Sequence, residues 1–116
     1  MYKVIYYTDK RGNSAVEDFI CSLQLKVRAK VLKWLELLEE HGPNLPRPYA
    51  DSLRDKIREL RISHSNLEIR VLYFFWKDKI IVLTNGYFKK DRRTDGSEID
   101  RAIICIAPLR RCEVRH

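Results

Sequence analysis

Apolar and polar positions along this chain repeat first at strand spacing, then at helix spacing, then at strand spacing again. Residues 2 to 8 mix β-branched and aromatic types and predict a strand. The polar turn Asp9-Lys10-Arg11-Gly12-Asn13 stops it. Ser14-Ala15-Val16-Glu17 then has the form of a capping box, in which the serine oxygen satisfies a free N–H and the glutamate reaches back to the cap. Val16, Phe19, Ile20 and Leu23 follow at helical spacing and make one apolar face. A break at Ser22 or Gln24 separates this helix from a second stripe, Val27, Val31, Trp34 and Leu38, whose solvent side carries Lys26, Lys30, Lys33 and Glu40. Gly42-Pro43 ends it. Residues 42 to 49 hold three of the chain's four prolines, so this connector is expected to be extended.

From about Lys56 the period returns to two. Strands are predicted over 56 to 63, 67 to 76 and 79 to 88, joined by the turns Ser63-His64-Ser65-Asn66 and Lys77-Asp78. Connections this short cannot make parallel crossovers, so the three strands form an antiparallel meander. A last helix starts near Asp95 to Ser97, aligns Ile99, Ala102, Ile103 and Ile106, and is expected to end at Pro108. The order predicts an α+β fold: a mostly antiparallel, four-stranded sheet with two N-terminal helices and a C-terminal helix, in one domain spanning 1–116. Helices on one face of the sheet would leave the other face as a binding surface.

Charge narrows the range of partners. Lys and Arg total 23 against 16 acids, a net charge of +7 that favours nucleic acid, an anionic surface or an acidic protein. The 45% hydrophobic content is too high for a disordered chain. Cys21, Cys105 and Cys112 have neither CxxC spacing nor histidines at metal-ligand intervals, and read as small core residues in a reducing compartment. The N-terminus lacks a secretory apolar region, and no apolar run reaches the roughly 18 residues of a membrane span. A cytoplasmic protein with no membrane contact is expected.

Chemistry has few candidates. Strand alternation puts Arg61 on one side with Glu59 and Ile57, and Arg70 with Glu68, opposite Ile69, Val71 and Tyr73. Each arginine has two readings: an ion pair across strands, Arg61 with Glu68 or Arg70 with Glu59, or a cation held for an anionic ligand. Lys89-Lys90-Asp91-Arg92-Arg93 places four cations in five residues, either a solvated loop or a track for a phosphate backbone. Tyr73 and Tyr87 lie near these cations in sequence and read either as core or as base-stacking rings. His41, His64 and His116 are scattered, and no Gly-rich phosphate loop, nucleophile elbow or metal cluster is present. No cofactor or metal is expected.

Taken together, Glu59-Leu60-Arg61, Arg70-Val71-Leu72-Tyr73-Phe74-Phe75, Ile81-Val82-Leu83, Gly86-Tyr87-Phe88-Lys89-Lys90 and Glu98-Ile99-Asp100-Arg101-Ala102 resemble the HigB-like, phage Gp49-related branch of the RelE/ParE toxin superfamily. Asn85 stands where that family usually has a histidine. The resemblance implies a RelE-like fold and a type II toxin that cleaves messenger RNA on the ribosome without a metal. Its partner would be a cognate helix-turn-helix antitoxin, HigA-like. Carried over by position, Arg61, Arg70 and Lys89 would be catalytic, with Tyr73, Tyr87, Lys90, Arg92 and Arg93 binding RNA. A lysine crowded by like charges has its neutral form favoured, which suits Lys89 to the role of base. Two other classes stay open: a ParE-like inhibitor that binds DNA gyrase, and a non-catalytic RNA-binding phage protein.

Overall fold

Ser14 Oγ accepts a hydrogen bond from the Glu17 N–H at 3.3 Å, so the serine cap read from the sequence sets the start of the first helix. In a computed structural model that describes residues 1–90 and 96–114, with side chains through 105, the order is β1 (Lys3–Tyr6), α1 (Ala15–Ser22), α2 (Leu25–His41), a 3-10 turn (Gly42–Asn44), β2 (Ala50–Ser52), β3 (Arg58–His64), β4 (Leu67–Trp76), β5 (Ile80–Phe88) and α3 (Gly96–Val114). The fold is α+β, with three α-helices and one five-stranded mixed sheet of order β1-β5-β4-β3-β2.

Several expectations need correction. The sheet has five strands, not four. Ala50-Asp51-Ser52 pairs antiparallel with Leu60-Glu59-Arg58, although these three residues have low strand propensity. The sheet is also mixed, because β1 lies parallel to β5, with Lys3 opposite Ile80 and Tyr6 opposite Leu83. The whole intervening chain serves as the long connection that parallel pairing requires. Lastly, α3 runs through Pro108 to Val114. A proline removes one backbone donor from a helix, and the hydrogen bonds on either side of it still carry the helix past.

Both faces of the sheet are covered in part. Val16 and Ile20 of α1 with Val27, Val31, Leu35 and Leu38 of α2 pack on Leu60, Ile62, Ile69, Val71, Tyr73, Ile81 and Leu83. On the reverse face, Ile99 and Ala102 of α3 pack on Leu72, Phe74 and Val82, so that face is not left bare as expected. The sequence carries the reason: Ile69 to Phe74 is apolar almost without alternation, and a strand of that kind is buried on both faces.

Gly42 shows why α2 ends where it does. Its φ is +53°, its N–H caps Leu38 O, and an added Cβ would stand 2.4 Å from the Tyr2 ring. Gly42→Ala is therefore expected to cost on the order of 1–3 kcal/mol, measurable as a lower midpoint in denaturant with little change in slope.

Candidate functional site

The ladder between β3 and β4 sets Arg61 directly opposite Arg70, and the next ladder sets Arg70 opposite Tyr87. By strand alternation these side chains share the α3 face of the sheet, where Tyr87 packs against the cluster that holds Ile99 and Ala102. Two guanidiniums facing each other need anions between or around them, and the strands supply three. Glu59 is fully buried, with Oε2 at 3.1 Å from Arg61 Nε and Oε1 at 3.7 Å from Arg70 Nε. Asp51, brought in by β2, lies 3.1 Å from Arg61 Nη2, and Glu68 lies 3.7 Å from Arg70 Nη2. Of the two cross-strand pairs expected, Arg70 with Glu59 forms, whereas Arg61 is held by Glu59 and Asp51 rather than by Glu68.

The two arginines differ in access. Arg70 is 7% exposed and donates from Nη1 to the carbonyl of Ile69 at 3.0 Å. Arg61 has about a third of its side chain exposed. Arg61 therefore presents the guanidinium edge to solvent, and Arg70 stands behind it. A fully buried carboxylate pays a desolvation penalty of several kcal/mol, and the flanking guanidiniums offset it. Partial burial works to raise the pKa of Asp51, but hydrogen bonds from Arg47 and the Ser52 N–H and the charges of Arg47 and Arg61 together hold it below the usual carboxylate value. Its contribution to folding is thus present above the ordinary carboxylate pKa and is lost as pH falls through the lowered one.

Lys89 joins this group through the backbone. Its N–H donates to Glu68 O at 2.8 Å, which extends the β4–β5 ladder by one step and puts Lys89 on the face of Tyr87 and Arg70 by alternation. Lys89 is half-buried and Lys90 is exposed. Arg92, Arg93 and His116 lie outside the described residues.

Tyr73 is not brought to the arginines. It is completely buried on the α1–α2 face, edge-on to Phe75 at 5.8 Å, and offers no ring surface to a base. Burial raises its pKa, against the opposing pull of Arg58. Alternation alone had placed it opposite Arg70, and only the family resemblance drew it to the site. Asn85, where the resemblance would expect histidine, is buried and donates from Nδ2 to Glu98, at 2.8 Å to its carboxylate and 3.2 Å to its carbonyl. It ties the end of β5 to the first turn of α3.

Cysteine chemistry finds little support. Burial pushes the Cys105 thiol up to about 11, against the pull of Arg101, so it is not a thiolate near neutral pH. Cys21 is exposed on α1 rather than in the core, because it falls on the solvent side of the stripe formed by Val16 and Ile20. Among the described residues, no group of three or more His, Cys, Asp or Glu side chains is placed to hold a metal ion. No helix among them is long and apolar enough to cross a membrane.

Sequence reasoning missed the rest of the setting. Beyond Ala50 the outer edge of β3 has no strand neighbour among the described residues, and a cavity of about 300 Å³ wraps around that edge. Lys30 and Trp34 of α2 and Tyr49 line one side; Arg61, Glu68 and Arg70 line the other. Trp34 had read only as part of an apolar stripe, and Tyr49 as part of a connector. Their shared aromatic character was the one available signal.

A family model for phage-derived proteins of the Gp49-like type (DUF891) matches residues 18–105, a span that contains every described residue of this site. No curated protein matches the chain significantly. With three-quarters of its length matched, from within α1 to the middle of α3, the chain belongs to the Gp49-like phage-derived family, within the RelE/HigB-type toxin superfamily.

Proposed function

We propose that this chain is a HigB-like toxin of a type II toxin-antitoxin system, a metal-independent endoribonuclease that cleaves messenger RNA on the ribosome and so inhibits translation. The observation that carries this reading is the register pairing of Arg61 with Arg70 beside a nucleotide-sized cavity, with Lys89 on the same face. Guanidinium forks match phosphate geometry, and here they are fixed before any ligand arrives by a carboxylate, Glu59, that solvent does not reach. Glu68 is the weak gate. It is about half exposed and only loosely paired with Arg70 at 3.7 Å, so a phosphate can take its place.

The reaction then needs only the chain's own groups. The ribose 2'-oxygen attacks the adjacent phosphorus while Lys89 takes its proton. The phosphorus–O5' bond breaks, and the departing oxygen takes up the proton that Lys89 accepted. Arg61, with Arg70 behind it, stabilises the charge that builds on the phosphoryl oxygens. The products are a 2',3'-cyclic phosphate and a 5'-hydroxyl. Lys90, with Arg92 and Arg93, would track the flanking backbone, and Tyr87 would border the scissile step.

The same family position supports a cognate antitoxin, a small helix-turn-helix protein. If its carboxylates cover Lys89 and Lys90, the double variant Lys89→Ala, Lys90→Ala should associate with it more slowly at low ionic strength, as stopped-flow mixing would show. An association rate unchanged by those substitutions and by salt would place the antitoxin elsewhere on the surface. The nuclease reading is tested by inducing the chain in bacteria and following transcript integrity beside plasmid supercoiling. Transcripts are expected to be cut early while supercoiling holds. Intact transcripts with relaxed plasmid would favour the gyrase-binding class, and neither effect with RNA still bound would favour the non-catalytic one.

A further inference from the structure

The cavity beside the arginines has a second wall that phosphate chemistry does not use. Tyr49 is 40% exposed and lies with its ring 6.0 Å from that of Trp34, tilted by 55°. Lys30 fixes this wall. Its Nζ donates to the carbonyl of Ser63 on the open edge of β3 and stands 5.3 Å over the Trp34 ring. Tyr49 is fastened too, because its carbonyl accepts the Arg61 N–H at 2.8 Å. The same residue pair thus joins an aromatic ring to a guanidinium through one backbone hydrogen bond. A ligand that puts an anion at Arg61 brings its next group against Tyr49. In RNA that next group is a base, and every base has a face that stacks on an aromatic ring. A cavity of about 300 Å³ is at the small end for ligand pockets and fits a single nucleotide unit.

We propose that Tyr49, backed by Trp34, stacks a nucleobase of the RNA whose phosphate binds at Arg61, and that this contact sets where along the messenger the chain engages. The proposal rests on the endoribonuclease reading, which it extends from phosphate to base.

The test uses the full chain and two probes of equal length. One is a mixed-sequence 2'-O-methyl oligonucleotide, which lacks the attacking hydroxyl, and the other is the same backbone without bases. Affinities for both are measured by fluorescence anisotropy for the native chain, Tyr49→Phe, Tyr49→Ala and Arg61→Ala. Tyr49→Ala should weaken binding of the base-bearing probe by roughly 5- to 100-fold and leave the abasic probe unchanged. Tyr49→Phe should match the native chain, while Arg61→Ala should weaken both probes. If Tyr49→Ala weakens both probes equally, or neither, the stacking role is overturned and the nuclease reading stands. If the native chain binds neither probe, the stacking role is overturned and the nuclease reading is judged by the ends of RNA cut on the ribosome; if Arg61→Ala changes nothing, the phosphate site at Arg61 fails and the stacking role with it.

Discussion

Arg70→Ala is expected to destabilise the protein by about 3 kcal/mol or more, because it strips a guanidinium from a carboxylate that water cannot reach. Glu59 is completely buried, and Arg70 stands 3.7 Å from it on the inner side. Arg61 remains at 3.1 Å and limits the loss without abolishing it. The diagnostic comparison is Glu59→Gln combined with Arg70→Ala. Once the buried charge is gone, the missing guanidinium matters less, so the double variant should be more stable in urea than the sum of the single losses predicts. Simple additivity would mean that the two side chains do not interact. Of the two readings that the sequence leaves open for Arg70, the cross-strand pair with Glu59 is the one that governs its effect on folding.

The second large effect is on activity. Arg61→Lys keeps a positive charge near Glu59 and Asp51, so folding should change little. It loses the planar fork that can hold two phosphoryl oxygens at once. Cleavage of RNA by the purified variant should fall about 100-fold or more, the scale seen when one donor to a developing oxyanion is removed. Near-native cleavage by Arg61→Lys would show that charge alone suffices at this position, and a matching loss of stability would show that Arg61 serves the fold.

The difference between these two arginines marks how far the sequence could be read. Periodicity located β3, β4 and β5, the break between α1 and α2 at Ser22 to Leu25, and the stop at Gly42, because each is written in local residue chemistry. Pairing across the sheet is not local. Nothing in Ala50-Asp51-Ser52 announces a strand, yet β2 brings Asp51 to Arg61 and opens the β3 edge beyond it. The strand pattern could not show that β1 joins β5 in parallel, or that α3 covers Leu72 and Phe74. At the site, alternation placed Arg61 with Glu59 and Arg70 with Glu68, and those groupings persist. It could not show that Glu59 is the buried centre, since its depth depends on β2, β3 and β4 pairing there. Tyr49 and Trp34 are 15 residues apart and become neighbours only when the connector folds back on α2.

If this chain cuts RNA with its own cations, the chemistry is recorded in the ends of the cut RNA. The purified full chain, incubated with messenger RNA on ribosomes kept intact by crosslinking before excess chelator is added, is predicted to leave 5'-hydroxyl ends and 2',3'-cyclic phosphate or 3'-phosphate ends. Fragments carrying 5'-phosphate and 3'-hydroxyl ends, or cleavage that stops when divalent ions are removed, would contradict it.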